Sequence, residues 1–236
     1  MPVGKRIYLR KMAPDFAVME QLQEIPASNI ADVMGRSCAM SYRIHLMSRP
    51  VKNMVGAALT VKCCSGDNLL IHKALEIAKE GDVIVVSNEG GSERSLLGEV
   101  MASFGLYTRK IAGIVVDGPI RDIDAIRDMP LPVYATGTNP GGPYKEGPGE
   151  INVPISCGNI SVEPGDILVG DEDGVIVIPR RDAKTILEAA RKFKVSDERK
   201  LREAISGELD YKWAAKTLEE KEFEIIDGIY PGCVSE

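Results

Sequence analysis

Asn88-Glu89-Gly90-Gly91-Ser92-Glu93-Arg94, then Gly98-Glu99, then Val115-Val116-Asp117-Gly118-Pro119-Ile120-Arg121-Asp122: this stretch carries the turns of a strand–helix–strand unit. Val83 to Ser87 is a short apolar run that stops at the glycines, and Leu96 to Tyr107 is predicted to wind as a helix. Ile114 to Val116 is a second β-branched run, ended by Asp117-Gly118. Such a unit brings the ends of its parallel strands side by side. Glu99, near the helix start, and Arg121-Asp122, after the second strand, are therefore expected to face one crevice, where open α/β sheets usually bind ligands.

Two carboxylates and a guanidinium in one cleft suit a hard divalent cation that holds an anionic oxygen substrate. Mg²⁺ keeps several waters and takes one or two carboxylates. Arginine offers a planar fork that matches a carboxylate or enolate in bidentate fashion. Amides at a glycine turn and helix start can receive a second anionic group. On spacing alone the competing reading is bland: a surface turn at Arg121-Asp122 and a solvated Glu99, because charged residues mostly lie on surfaces.

Around this unit, the chain of 236 residues suits one large domain or a domain with a helical tail. Its apolar fraction of 44% and charged fraction of 27% are those of a soluble globular protein. A net charge of −6 argues against nucleic acid as the main partner, which would need a basic face. Lys5, Arg6, Arg10 and Lys11 make a small basic start, read as a solvated arm. No apolar run approaches a bilayer span and the N-terminus has no signal-like core, so no membrane partner is expected. The five cysteines show neither a zinc spacing nor a disulfide framework. Reduced, partly buried thiols and a cytoplasmic location are expected.

Taken in order, residues 1–13 form an unclassified arm, and Asp15 to Gln23 has helical spacing. Ser28 or Asn29 can cap a short helix from Ile30 to Met34 that Gly35 ends. Val55 to Cys64 alternates as a strand, Gly66-Asp67-Asn68 turns the chain, and Asp67 or Asn68 caps a helix through Ala78. Ile123 to Arg127 reads as a short helix or turn and Val133 to Ala135 as a strand. Thr136 to Glu150 is a long loop rich in Gly and Pro, of a kind often functional or interfacial. Short strands follow at Val153, Ile160, Ile167 to Val169 and Gly174 to Ile178, with a hairpin signal at Asp171-Glu172-Asp173-Gly174. From Arg181 a helical pattern runs through Ile186, Leu187, Ala190 and Phe193 and on to Leu201, Ile205, Leu209, Trp213 and Leu218.

His72 and His45 are the two histidines, and His72 reads as a helix-surface or core residue rather than an acid–base group. With no histidine-rich site, a metal would be magnesium or manganese rather than zinc. Lys145, in the long loop, is a secondary candidate for approaching an anionic substrate. Gly90-Gly91 lacks the third glycine of a dinucleotide fingerprint, and the triple acid at 171–173 reads as a solvated turn.

The chain resembles the family that contains 4-hydroxy-4-methyl-2-oxoglutarate/4-carboxy-4-hydroxy-2-oxoadipate aldolase and the regulator of ribonuclease activity A. The family's mark is an acidic residue after a glycine, a spacer, then Arg-Asp; here Gly98-Glu99 is followed by 21 residues and then Arg121-Asp122. The spacer is one residue longer than the family's, with the extra residue expected near Leu106 to Lys110, at the helix end. The likeness covers about residues 20–190, including Gly66-Asp67-Asn68-Leu69, Gly81-Asp82-Val83, Asn152-Val153-Pro154-Ile155, Pro164-Gly165-Asp166 and Asp173-Gly174-Val175.

The resemblance implies an α/β fold, a layered β/β/α swivelling-type domain over 1–180 with a C-terminal helical extension over 181–236. It also implies homotrimers or homohexamers with sites near subunit interfaces. The implied activity is a class II aldolase that releases pyruvate from a 4-hydroxy-2-oxo acid, with oxaloacetate decarboxylation on the side. In that reading Asp122 and Glu99 hold the divalent metal and Arg121 holds the ketone or enolate oxygen. The backbone over Gly98, Glu99, Val100 and Met101 receives the substrate carboxylate. A glutamate from a neighbour's C-terminal region is part of the aldolase pattern, and Glu222 or Glu224 is a candidate for it. The other branch implies a non-catalytic regulator that binds a ribonuclease or another protein. A methyltransferase, a further label in this family, is disfavoured because no glycine-rich cofactor loop followed by an acidic strand end is visible.

Overall fold

A computed structural model describes residues 3–50, 52–91 and 93–230. Ser92 of the glycine turn and Cys233 fall outside them. The chain forms two compact units, Met1–Lys194 and Val195–Glu236.

The first unit opens with helices α1 (Phe16–Leu22) and α2 (Ala27–Val33). Then come β1 (His45–Leu46), β2 (Met54–Cys63), α3 (Leu69–Ile77) and β3 (Asp82–Ser87). The central segment holds α4 (Glu99–Ser103), a π-helical continuation Phe104–Arg109, β4 (Gly113–Asp117), β5 (Pro119–Ile120) and α5 (Ile123–Arg127). After it follow β6 (Val133–Ala135), β7 (Gly137–Thr138), β8 (Gly149–Ile151), β9 (Ile155–Cys157) and β10 (Ile160–Val162). β11 (Ile167–Asp171), β12 (Gly174–Ile178), α6 (Ala183–Ser206) and α7 (Lys212–Glu220) complete the order.

The expected mixed α/β architecture is present, but as one curled sheet rather than flat layers. Eight strands make the main sheet in the order β1-β6-β4-β3-β2-β11-β12, with β8 also pairing β2. β2, β3, β4 and β6 run parallel; β11 and β12 form the hairpin anticipated at Asp171–Gly174. The sheet curls until β1 lies against β12, and the Tyr134 hydroxyl of β6 donates to the Asp171 carbonyl of β11 across the interior.

Alternation sorts the strand residues onto the two faces of this near-closed barrel. Met54, Ala58, Val83, Val85, Val115, Tyr134, Leu168, Val175 and Val177 fill the interior. Leu59, Val61, Ile84, Val86, Ile114 and Val116 face outward under α3, α4 and α5. Ile167, Val169, Ile176 and Ile178 face outward under α1, α2 and the start of α6. β2 is therefore buried on both faces, and its sequence alternation marks two cores rather than a core and a wet side.

Several local expectations are corrected. Leu96 and Leu97 are not helical: Leu96 N donates to Pro119 O and Arg121 N to Leu97 O, so this backbone is committed to pairing before the helix begins at Glu99. The helix continues as a π-turn from Phe104 to Arg109 and ends at left-handed Lys110. A π-turn houses one more residue than an α-turn. α2 starts earlier than expected, and its Ala27 N–H is met not by Ser28 or Asn29 but by the Asp171 carboxylate, so that acid is a cap as well as a turn residue. The strand expected at Val153 forms two residues later, after left-handed Asn152.

The N-terminal arm is also not simply solvated. Ile7 bridges to Ile151, Arg6 pairs with Glu150, and Lys11 pairs with Asp82 at side-chain exposures of 11% and 7%. Lys5 and Arg10 are exposed as expected.

In the second unit the helical pattern breaks at Gly207 and Leu209 and resumes as α7, none of whose residues is buried. Glu222 and Glu224 follow α7 and are exposed. No helix of the described residues is long and apolar enough to cross a membrane.

Candidate functional site

The pairing of Leu96-Leu97 with the Pro119–Arg121 backbone sets Gly98 directly beside Asp122. Asp122 takes a left-handed conformation with φ 60°, which a short polar residue tolerates better than a branched one. It opens α5, its carbonyl accepting from Ile126 N, while its Oδ2 accepts from Glu99 N at 3.1 Å. One carboxylate thus serves the first turn of α4 from outside that helix. A Cβ on Gly98 would stand 2.3 Å from Asp122 Oδ2 and 3.2 Å from Arg121 Cγ and Nε, so glycine is required by close approach. Arg121 Nε lies 3.7 Å from Asp122 Oδ2, and both side chains stay nearly half exposed, at 45% and 43%.

These groups border a cavity of about 350 Å³. Ser95 to Gly98, Val100 and Met101 line it, as do Asn68, just before α3, and His72, one turn further on within that helix. Gly142, Pro143 and Lys145 of the long loop complete it. The loop is fastened by Asp67, whose Oδ1 accepts from Leu69 N and whose Oδ2 accepts from Glu146 N at 2.6 Å and Gly147 N at 2.9 Å. Asn68 thus holds the N-cap position of α3 without a side-chain bond to the helix, and the side chain that meets the first helical N–H is that of Asp67. Arg94 adds a second fastening: its guanidinium stacks 4.1 Å over the Tyr144 ring and donates to Gly142 O. Partial burial, and then the Lys145 charge, lower the pKa of His72.

Of the residues anticipated from sequence, Gly98, Val100, Met101, Arg121 and Asp122 line the cavity together. Glu99 joins through its backbone N–H, with its side chain exposed. Lys145, a secondary candidate from sequence, and His72, read there as a helix-surface or core residue, line the cavity too. Asn68, Asp67 and Arg94 were not singled out for the site. The Gly-Asp-Asn turn carried a capping signal, but the second role of Asp67 is written about eighty positions away, in the loop it holds.

Among the described residues no group of three or more His, Cys, Asp and Glu could hold a metal ion. A cation that needs four protein ligands does not fit here. A cation content with one or two carboxylates, waters and substrate oxygens does fit beside Asp122.

The family model described as RraA-like, Aldolase/RraA, matches residues 27–177. A Halalkalibacterium halodurans protein named "Putative 4-hydroxy-4-methyl-2-oxoglutarate aldolase" is 40% identical over 178 residues, covering 75% of this chain and 84% of that one. A solved Pseudomonas syringae pv. tomato structure superposes with TM-score 0.72 at 25% identity, over 83% of this chain and 96% of its own. Streptomyces coelicolor RraAS2, described as an unusual member of the RNase ES inhibitor RraA protein family, superposes with TM-score 0.71 at 26% identity, over 80% of this chain and 98% of its own.

Proposed function

Because the chain belongs to the RraA-like family, Aldolase/RraA, we propose that its cavity cleaves a 4-hydroxy-2-oxo acid, such as 4-hydroxy-4-methyl-2-oxoglutarate, to pyruvate. The observation that carries this reading is the convergence of Arg121, Asp122 and the first turn of α4 on one cavity of about 350 Å³. That volume lies in the range of small-molecule sites.

Cleavage breaks the bond between C3 and C4. The electron pair passes through C3 to the ketone oxygen as an enolate, C4 becomes a carbonyl as its hydroxyl gives up a proton to solvent water, and return of a proton to C3 turns the enolate into pyruvate. The Arg121 guanidinium faces the oxygen on which charge grows, so its contact strengthens toward the transition state. The N–H groups of Val100 and Met101 belong to a first turn, which has no acceptor within the helix, and they receive the substrate carboxylate. The Glu99 N–H is engaged by Asp122 and takes no part in this. Asp122, with Glu99 directly or through water, holds a divalent cation, Mg²⁺ first and Mn²⁺ second, which supplies Lewis-acid stabilisation when bound. Oxaloacetate gives the same enolate on losing CO₂, so its decarboxylation is the expected side activity. The working form is a homotrimer or homohexamer.

The second reading, a regulator that binds a ribonuclease, draws on the description of RraAS2. It leaves the arrangement around Asp122 without a task, which is why the enzyme reading is preferred. The test is chelation: EDTA should abolish pyruvate release and Mg²⁺ or Mn²⁺ should restore it. Full turnover by metal-free protein would sink the metal-dependent mechanism, and borohydride trapping would then look for a lysine Schiff base.

A further inference from the structure

The Asn68 side chain is only 3% exposed, and its two polar ends are treated differently. Its Nδ2 donates to Leu96 O at 3.0 Å and reaches Met101 Sδ at 3.4 Å. Its Oδ1 is buried and has no hydrogen-bond partner. The orientation of the amide is fixed by Leu96, because the reverse would set two carbonyl oxygens against each other. A buried acceptor without a donor is costly, so it marks a place where something else supplies one. Asn68 lines the cavity together with Leu96 and Met101, which its amide touches, so the cavity is the place to seek the donor.

The chemistry of that donor is narrowed by its surroundings. Lys145 and Arg121 line the same cavity, so a further ammonium or guanidinium is disfavoured. A carboxylate offers no proton. A neutral hydroxyl on an otherwise anionic molecule fits both the missing donor and the basic wall.

We propose that Asn68 is a specificity-determining residue, its Oδ1 accepting a hydrogen bond from the hydroxyl at C4 of the substrate. This rests on the aldolase reading and deepens it. The amide takes no proton; it holds the hydroxyl in place and rejects 2-oxo acids that lack one, because such a ligand leaves the acceptor bare.

The test compares the wild-type protein with Asn68→Leu, an apolar side chain of similar length, on two substrates. One is 4-hydroxy-4-methyl-2-oxoglutarate and the other is oxaloacetate, which has no hydroxyl at C4. The ratio of kcat/KM for the hydroxy acid to that for oxaloacetate should fall by about tenfold, the scale of one hydrogen bond. An unchanged ratio, with both activities reduced alike, would overturn the proposal, since loss of the Leu96 tie or of an ordered water acts on both substrates equally. If the variant does not fold, the wild-type protein decides. A 4-hydroxy-2-oxo acid should then bind more tightly than the 2-oxo acid lacking only that hydroxyl, and equal affinity would overturn the proposal. No turnover of either substrate by the wild-type protein is a different result: it removes the aldolase reading, and this inference with it.

Discussion

At the scale of single residues, the proposed function assigns the neighbours Arg121 and Asp122 separable duties. Arg121→Ala should lower kcat by roughly 10²–10³ while oligomer and fold persist, the usual loss when one donor to a developing oxyanion is removed. Arg121→Lys should rescue little, because an ammonium cannot reproduce the planar fork. Asp122→Asn keeps an acceptor for Glu99 N but discards the charge, so it should weaken metal binding without loosening α4. Steady-state assays across Mg²⁺ concentrations check this: excess Mg²⁺ should recover part of the Asp122→Asn activity and none of the Arg121→Ala loss. Near-normal kcat in Arg121→Ala would make the guanidinium structural. These two residues were legible in sequence because their motif is local. Asn68 and Asp67 were not, because what defines them is a partner, or a missing one, supplied from Leu96, Glu146 and Gly147.

At the scale of elements, the sequence located most strands within a residue or two, since β-branched runs bounded by glycine and acidic turns are strong signals. It misjudged segments whose backbone bonds are made to distant chain. Leu96-Leu97 had helical composition and was taken by the Pro119–Arg121 backbone instead. The N-terminal arm had the composition of a solvated tail, yet Arg6 and Lys11 find acids more than seventy positions away. Removing one partner of a buried pair leaves an uncompensated charge, so Lys11→Met should destabilise the protein by roughly 3 kcal/mol or more, read as a lower midpoint in thermal unfolding. Arg6→Met should cost less, its side chain being 30% exposed. Arg6 also gives the arm a pH dependence. Its hydrogen bond holds the Glu150 carboxyl below its ordinary pKa, so the stability from this pair is present above that ordinary value and is lost as pH falls through the lowered one. Acid thermal melts should therefore fall more steeply for the wild-type protein than for Arg6→Met; parallel curves would show that the pair contributes nothing.

At the scale of the whole molecule, the α/β class was readable but the closure of the sheet was not. Curling depends on which strand edges meet, here β1 against β12, and two-residue β1 carries almost no sequence signal. The closure matters to the site, because apolar clusters on both faces of the sheet leave rigid strand ends from which Leu96 to Glu99 and Pro119 to Asp122 can be held side by side. The central claim is that this arrangement turns over 2-oxo acids rather than serving as a passive binding surface. The measurement that tests it most directly is pyruvate release from a panel of 2-oxo acids, with and without Mg²⁺, run beside ribonuclease binding on the same preparation. Mg²⁺-dependent release from a 4-hydroxy-2-oxo acid, well above the free-metal rate and without ribonuclease binding, is the result predicted. No pyruvate from any member of the panel, together with micromolar or tighter binding to a ribonuclease, would contradict it.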